Sequence, residues 1–91
     1  MLDTMFCLER FALAAGRHAD LSVQDLALSR EPAYVAVRNR FSLTLAETVT
    51  CSDEGAFITS WGYRLGHADD VESAAARLAY LLAALPTPKT A

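Results

Sequence analysis

A chain of 91 residues with a net charge of −3 and 53% apolar side chains makes one domain around a small core. That charge offers no basic field toward nucleic acid or anionic lipid, and burial in so short a chain offsets its conformational entropy with little margin. Domains of this size gain stability by pairing with a copy of themselves or with a partner.

The opening run MLDTMFCLERFALAAGR does not read as a secretory leader, because Asp3 precedes the apolar stretch and Glu9-Arg10 interrupt it. No apolar run reaches the ~20 residues of a membrane span, so a cytoplasmic protein without membrane contact is expected. Residues 3–17 read as a helix. Asp3, Arg10 and Arg17 recur every seven residues as one polar stripe, and Met5, Leu8, Phe11, Ala12 and Ala15 form the core face. Leu2, Phe6 and Leu13 make a second apolar row beside that stripe. One sheet face can hardly cover both rows, which points to an oligomer or to a helix wedged between two layers; the expectation is a homodimer, through Leu2, Phe6 and Leu13 of this helix or through a sheet edge.

From Leu21 the period changes to two. LSVQDLALS alternates in two halves, Leu21/Val23 and Leu26/Leu28, with a break at Gln24-Asp25 that a bulge or a turn would explain. Pro32 lacks an amide donor and disfavours helix at Glu31, so REPA is a turn. YVAVR is a short strand with Val35 and Val37 on one face. FSLTLAETVTC alternates throughout, placing Phe41, Leu43, Leu45, Glu47, Val49 and Cys51 together on one side of a long strand. SDEG is a turn ending at Gly55, and AFITSWGY returns as a strand with Phe57, Thr59, Trp61 and Tyr63 sharing a side. The last element is a helix with Val71, Ala74, Ala75, Leu78, Leu81, Leu82 and Leu85 on its buried face. Asp69 and Glu72 form a capping box at its start, and Pro86 stops it.

Chemistry-bearing clusters are sparse. HADDVE offers His67, Asp69, Asp70 and Glu72, but one imidazole among acids suited to capping is a poor metal set. Cys7 and Cys51 lack zinc spacing and read as buried, reduced thiols. A Cys51–His67 pair would depend on an accident of folding. Glu47, on the apolar phase of its strand, is the one acid with the surroundings of a general acid. An edge position, or an ion pair with an arginine such as Arg38 or Arg40, accounts for it better than catalysis does. The row Phe57, Trp61 and Tyr63, with Tyr34 on a neighbouring strand and Arg64 beside it, reads either as core or as a contact patch of the kind that dominates binding interfaces.

The order helix, strands, helix and the paired alanines of ESAAARLAYLL resemble the double-stranded-RNA-binding domain. That family opens its second helix with phosphate-gripping lysines, whereas Asp69, Asp70 and Glu72 stand here and would repel a phosphate backbone. The run AETVTCSDEGAFITSWGYRLGHADDVESAAARLAYLL, within a likeness covering roughly residues 33 to 85, resembles small actinobacterial proteins with T-C, S-W-G and A-D-D-V followed by an alanine-rich helix. That likeness implies a lineage and no mechanism. A small sheet packed on helices is also similar to the dimeric chaperones of secreted bacterial proteins.

The expected fold is α+β, a three- to four-stranded antiparallel meander carrying an N-terminal and a C-terminal helix, with residues 1–85 as one domain and 86–91 as a tail. The expected function is non-catalytic binding of a protein or peptide by an accessory or regulatory homodimer. Phe57, Trp61, Tyr63 and Arg64 form its partner surface, and no residue is assigned to catalysis, a cofactor or a metal. The alternatives are a small metal-dependent or acid/base enzyme using His67 and Asp69 or Glu47, and a nucleic-acid-binding domain.

Overall fold

A computed structural model describes residues 3–42 and 44–84 of the chain. Leu2 of the helix row, Leu43 of the long strand, Leu85 and Pro86 of the final helix and the 86–91 tail lie outside the described residues. The chain runs α1 (Thr4–Arg17), β1 (Leu21–Ala27), β2 (Tyr34–Asn39), β3 (Ala46–Cys51), β4 (Ala56–Thr59), β5 (Arg64–His67), a 3-10 turn over Ala68–Asp70, and α2 (Val71–Ala84). The strands form one antiparallel sheet in chain order, β1 to β5. The architecture is α+β, a meander of five strands between two helices, one or two strands more than expected. It also departs from the three-strand order of the double-stranded-RNA-binding domain.

Both helices pack on one face of the sheet. Leu21, Val35, Val37, Val49 and Phe57 rise from that face into the core, where they meet Leu8 and Phe11 of α1 and Ala74, Ala75 and Leu78 of α2. Phe11 and Phe57 sit with ring centroids 4.8 Å apart, so the largest buried side chains of helix and sheet touch. Ala36, Arg38, Thr48, Thr50 and Ile58 alternate onto the opposite face and are half-buried. Among the described residues no helix is long and apolar enough to cross a membrane.

Helix α1 follows its expected pattern with one exception. Asp3 is its N-cap, accepting from the amides of Met5 and Phe6 at 3.1 Å. Leu8, Phe11, Ala12 and Ala15 are buried, and Cys7 and Ala14 join them, because the helix packs on α2 as well as on the sheet. Met5, expected in the core, is exposed for the same reason: the buried arc is shifted toward the Cys7/Ala14 side. Phe6 and Leu13 remain 55% and 63% exposed on the back of the helix.

Two strands are shorter than their alternation suggests, β3 at its start and β4 at its end. The break in β1 is a bulge between Val23 and Asp25, opposite Val37 and Ala36. The long alternating run is strand only from Ala46 to Cys51. Before it, Asn39 Oδ1 takes the Phe41 amide at 2.8 Å, and Ser42 Oγ takes the amides of Thr44 and Leu45 at 3.2 Å. Those side-chain acceptors convert the apparent strand start into a hairpin loop and leave Phe41 in solvent. Ala56 to Tyr63 is likewise not one strand. The Gly62 amide bonds Thr59 O at 3.0 Å, Thr59 N bonds Tyr63 O at 2.9 Å, and Gly62 takes φ 89°. Ser60-Trp61-Gly62 is therefore a three-residue hairpin loop with glycine in the left-handed position, and the chain reverses into β5.

Candidate functional site

The hairpin loop between β4 and β5 scatters the expected aromatic row. Phe57 points into the core with 0% exposure, so it cannot belong to a contact surface. Trp61 stands at the loop and is 62% exposed. Tyr63 lies half-buried on the helix side, its hydroxyl accepting from Arg77 Nη1 at 3.3 Å. Arg64 pairs with Ile58 across the sheet and so projects from the opposite face, exposed. Tyr34 is also separate, on β2 with its hydroxyl 3.4 Å from Asp25 Oδ2. What remains together is Trp61 and Tyr63, whose rings stack at 5.3 Å with an interplanar angle of 31°.

Glu47 completes this group and has a role that its sequence position did not suggest. It faces neither Arg38 nor Arg40: Arg38 donates to Ser42 O at 2.6 Å and Arg40 to Leu21 O at 3.1 Å. Instead Glu47 reaches across the end of β4. Its Oε2 accepts from the Ser60 amide at 2.7 Å and its Oε1 from Trp61 Nε1 at 2.9 Å. Both oxygens of the half-buried carboxylate are therefore engaged in holding the loop. A continuous chain of contacts runs Glu47–Trp61–Tyr63–Arg77, linking β3, the loop, the start of β5 and α2.

Beside this ridge lies an open groove of about 500 Å³, lined by Tyr63 and by Ser73, Ala76, Arg77, Tyr80 and Leu81 of α2. Tyr80 is largely exposed there. The spacing of the α2 residues is that of one helix flank. Close contact between α2 and β5 sets the groove's position. A Cβ on Gly66 would come within 3.1 Å of the Ala74 Cβ, so glycine permits the helix to approach the strand this closely.

The acids ahead of α2 serve the turn, with the capping role moved by one residue. Asp70, not Asp69, is the helix cap: its Oδ1 accepts from the Ser73 amide at 3.0 Å and its Oδ2 from Ser73 Oγ at 2.7 Å. Those two bonds hold the Asp70 carboxyl below its ordinary range, the hydroxyl contributing most. Glu72, expected to close the capping box, pairs with Arg17 of α1. His67 Nδ1 accepts from the Asp69 amide at 3.1 Å, and its Nε2 lies 2.8 Å from Glu54 O. Both ring nitrogens are thus engaged by the backbone of the turn, with the Asp69 carboxylate 3.4 Å from Nδ1. Among the described residues no three of His, Cys, Asp and Glu gather as a metal-binding group.

The cysteines are free thiols. Cys7 is buried and Cys51 half-buried, less covered than expected. Cys51 Sγ lies 3.5 Å from Ser52 O. Burial first, then the Cys7 thiol, push the Cys51 pKa up to about 11. With His67 committed to Glu54, no Cys51–His67 pair forms.

No protein-family model, no characterised protein and no solved structure matches this chain.

Proposed function

We propose that this domain is a non-catalytic accessory or regulatory module of the cytoplasm that binds a protein or peptide through the Trp61/Tyr63 ridge, with Arg64 at its border. The observation that carries the reading is the Trp61 side chain, large and mostly solvent-exposed, yet fixed by its indole bond to Glu47 and its stacking on Tyr63. An aromatic surface ordered in advance loses little entropy on binding, which is why such residues dominate interfaces. The absence of Phe57 from that surface narrows the contact to the loop and the start of β5.

The same domain forms a homodimer through the back of α1. Phe6 and Leu13 are large apolar side chains left in solvent one helical repeat apart, with Arg10 lying 6.0 Å over the Phe6 ring. A two-fold interface joining these rows would remove them from water.

Two experiments test these readings. Trp61→Ala, folded by circular dichroism, should lose a protein that co-purifies with the wild type from its native cells; retention of that protein at unchanged yield counts against the ridge. Phe6→Glu or Leu13→Glu should lower the sedimentation mass to that of one chain. An unchanged mass with the fold intact removes α1 from the interface.

A further inference from the structure

We infer that the groove between Tyr63 and the flank of α2 is a docking site for an extended, proline-containing segment, and that its occupant is LPTPKTA, residues 85–91 of the same chain. The inference goes beyond the partner reading and does not depend on it, although groove and ridge share Tyr63. Ser73, Arg77, Tyr80 and Leu81 follow one another as a stripe along α2 that leads toward the helix end at Ala84. Tyr80 stands 71% exposed on that stripe, an aromatic wall that the rest of the fold leaves in water.

The sequence supplies a matching segment at that end of the groove. Pro86 disfavours helix for Leu85 and turns the chain off the α2 axis. Pro88 biases Thr87 to extended backbone, so the segment favours polyproline II. With about two residues spent on the reversal, the rest span roughly 15 Å at ~3.1 Å per residue. Helix α2 rises about 16 Å from Ser73 to Ala84, so the segment is long enough to lie along the stripe. Segments of this kind dock in aromatic-lined grooves because their shape is set in advance. Here Tyr63 and Tyr80 supply the aromatic faces and Leu81 an aliphatic one. Polyproline II leaves its carbonyls without internal partners. The Arg77 guanidinium donates to the Tyr63 hydroxyl and among the described residues pairs with no carboxylate, so it has donors left for them. Lys89, the chain's only lysine, is carried toward the Ser73 end, where Asp70 holds its carboxylate. Attachment decides the occupant. A segment tethered to α2 meets the groove at a local concentration on the order of millimolar, so contacts too weak to hold a free peptide suffice.

Nuclear magnetic resonance of the full chain provides the test. Cross-relaxation is expected between the Pro88 ring protons and the rings of Tyr63 and Tyr80, independent of protein concentration. Pro86→Gly/Pro88→Gly leaves the sheet and both helices untouched, and should lose those contacts and shift the Tyr80 ring signals. A capped LPTPKTA peptide should then bind the double variant saturably, about fivefold or more tighter than it binds the wild type, whose groove is filled. Tyr63 and Tyr80 signals identical in wild type and double variant would overturn the inference. So would equal peptide binding by both, or no binding by the variant at ~10 mM peptide. Contacts seen only between differently labelled chains in a mixture would overturn it as well, placing the segment of a second copy in the groove.

Discussion

Trp61 is tied to Glu47: the indole Nε1 donates to Oε1 at 2.9 Å while the other carboxylate oxygen takes the Ser60 amide at 2.7 Å. One acid of β3 therefore orients both the loop backbone and the side chain that the loop displays. Glu47→Ala leaves both donors without their acceptor and should cost about 1–2 kcal/mol in urea unfolding. The Trp61 fluorescence anisotropy should fall as the ring gains freedom. Unchanged anisotropy in a folded variant would mean that stacking on Tyr63 alone fixes the indole. Glu47→Gln, which keeps a single acceptor oxygen, should lie between the wild type and Glu47→Ala in both measurements.

Phe57 and Trp61 belong to different parts of the protein despite their alternate spacing, and truncation should separate them. Phe57→Ala removes a fully buried ring that packs on Phe11, at a cost of about 3–5 kcal/mol. In a domain whose total stability is on the order of 5–15 kcal/mol, that change brings the chain close to unfolding. Trp61→Ala removes an exposed ring with one hydrogen bond and should cost about 1 kcal/mol. Parallel thermal melts check the difference. Equal losses would place Trp61 in the stabilising core and leave the ridge without a separate role.

The contrast shows which features were legible in the residues alone. Both helices, the bulge at Gln24, the SDEG turn and the valine face of β2 carry local signals, namely apolar period, broken phase and turn chemistry. The misread segments share one cause: alternation continues through residues whose side chains bind the backbone. Phe41 and Leu45 keep the phase of β3, yet Asn39 and Ser42 fold the intervening chain into a loop. Trp61 keeps the phase of Phe57, yet Gly62 supplies the left-handed conformation of a three-residue hairpin. Ser-Trp-Gly between two apolar runs is the signal that could have placed the fifth strand. No local pattern could have paired Glu47 with Trp61, because the carboxylate gains its partners only when β4 lies beside β3. The cap of α2 falls at Asp70, one residue later than the capping-box pattern indicates, because a 3-10 turn precedes the helix, a shift common at helix ends.

The close approach of β5 and α2 gives a test of packing that leaves the surface chemistry alone. The extra methyl of Gly66→Ala would lie 3.1 Å from the Ala74 Cβ and 3.3 Å from its Cα. The helix must then move off the strand, at a cost of about 1–3 kcal/mol. Ala74→Gly opens that space but weakens the helix by about 1 kcal/mol. The double variant should therefore be more stable than the sum of the single losses implies. Strict additivity in urea unfolding would show that the two positions do not compete for the same volume.

Cys51 provides the pH-dependent test. Burial, reinforced by the neighbouring Cys7 thiol, pushes its pKa up to about 11, against about 8.5 for an unperturbed cysteine. At pH 8 roughly a thousandth of Cys51 is thiolate in the fold, compared with roughly a quarter in the unfolded chain. Iodoacetamide should therefore modify it far more slowly in the native protein than in urea, with the native rate rising steeply toward pH 11. The linkage has a definite sign. A thiol whose folded pKa is raised stays protonated in the fold after the unfolded chain has begun to release its proton, so its contribution to stability is complete below about pH 8.5. That contribution is lost as the pH rises through the folded value near 11. Cys51→Ala removes the linked proton and should flatten the decline in unfolding free energy between those limits. An alkaline decline of the same slope in the variant would assign it to other titrating groups. Rapid native alkylation at pH 8 would instead mean that the thiol is less enclosed than its half-buried position implies.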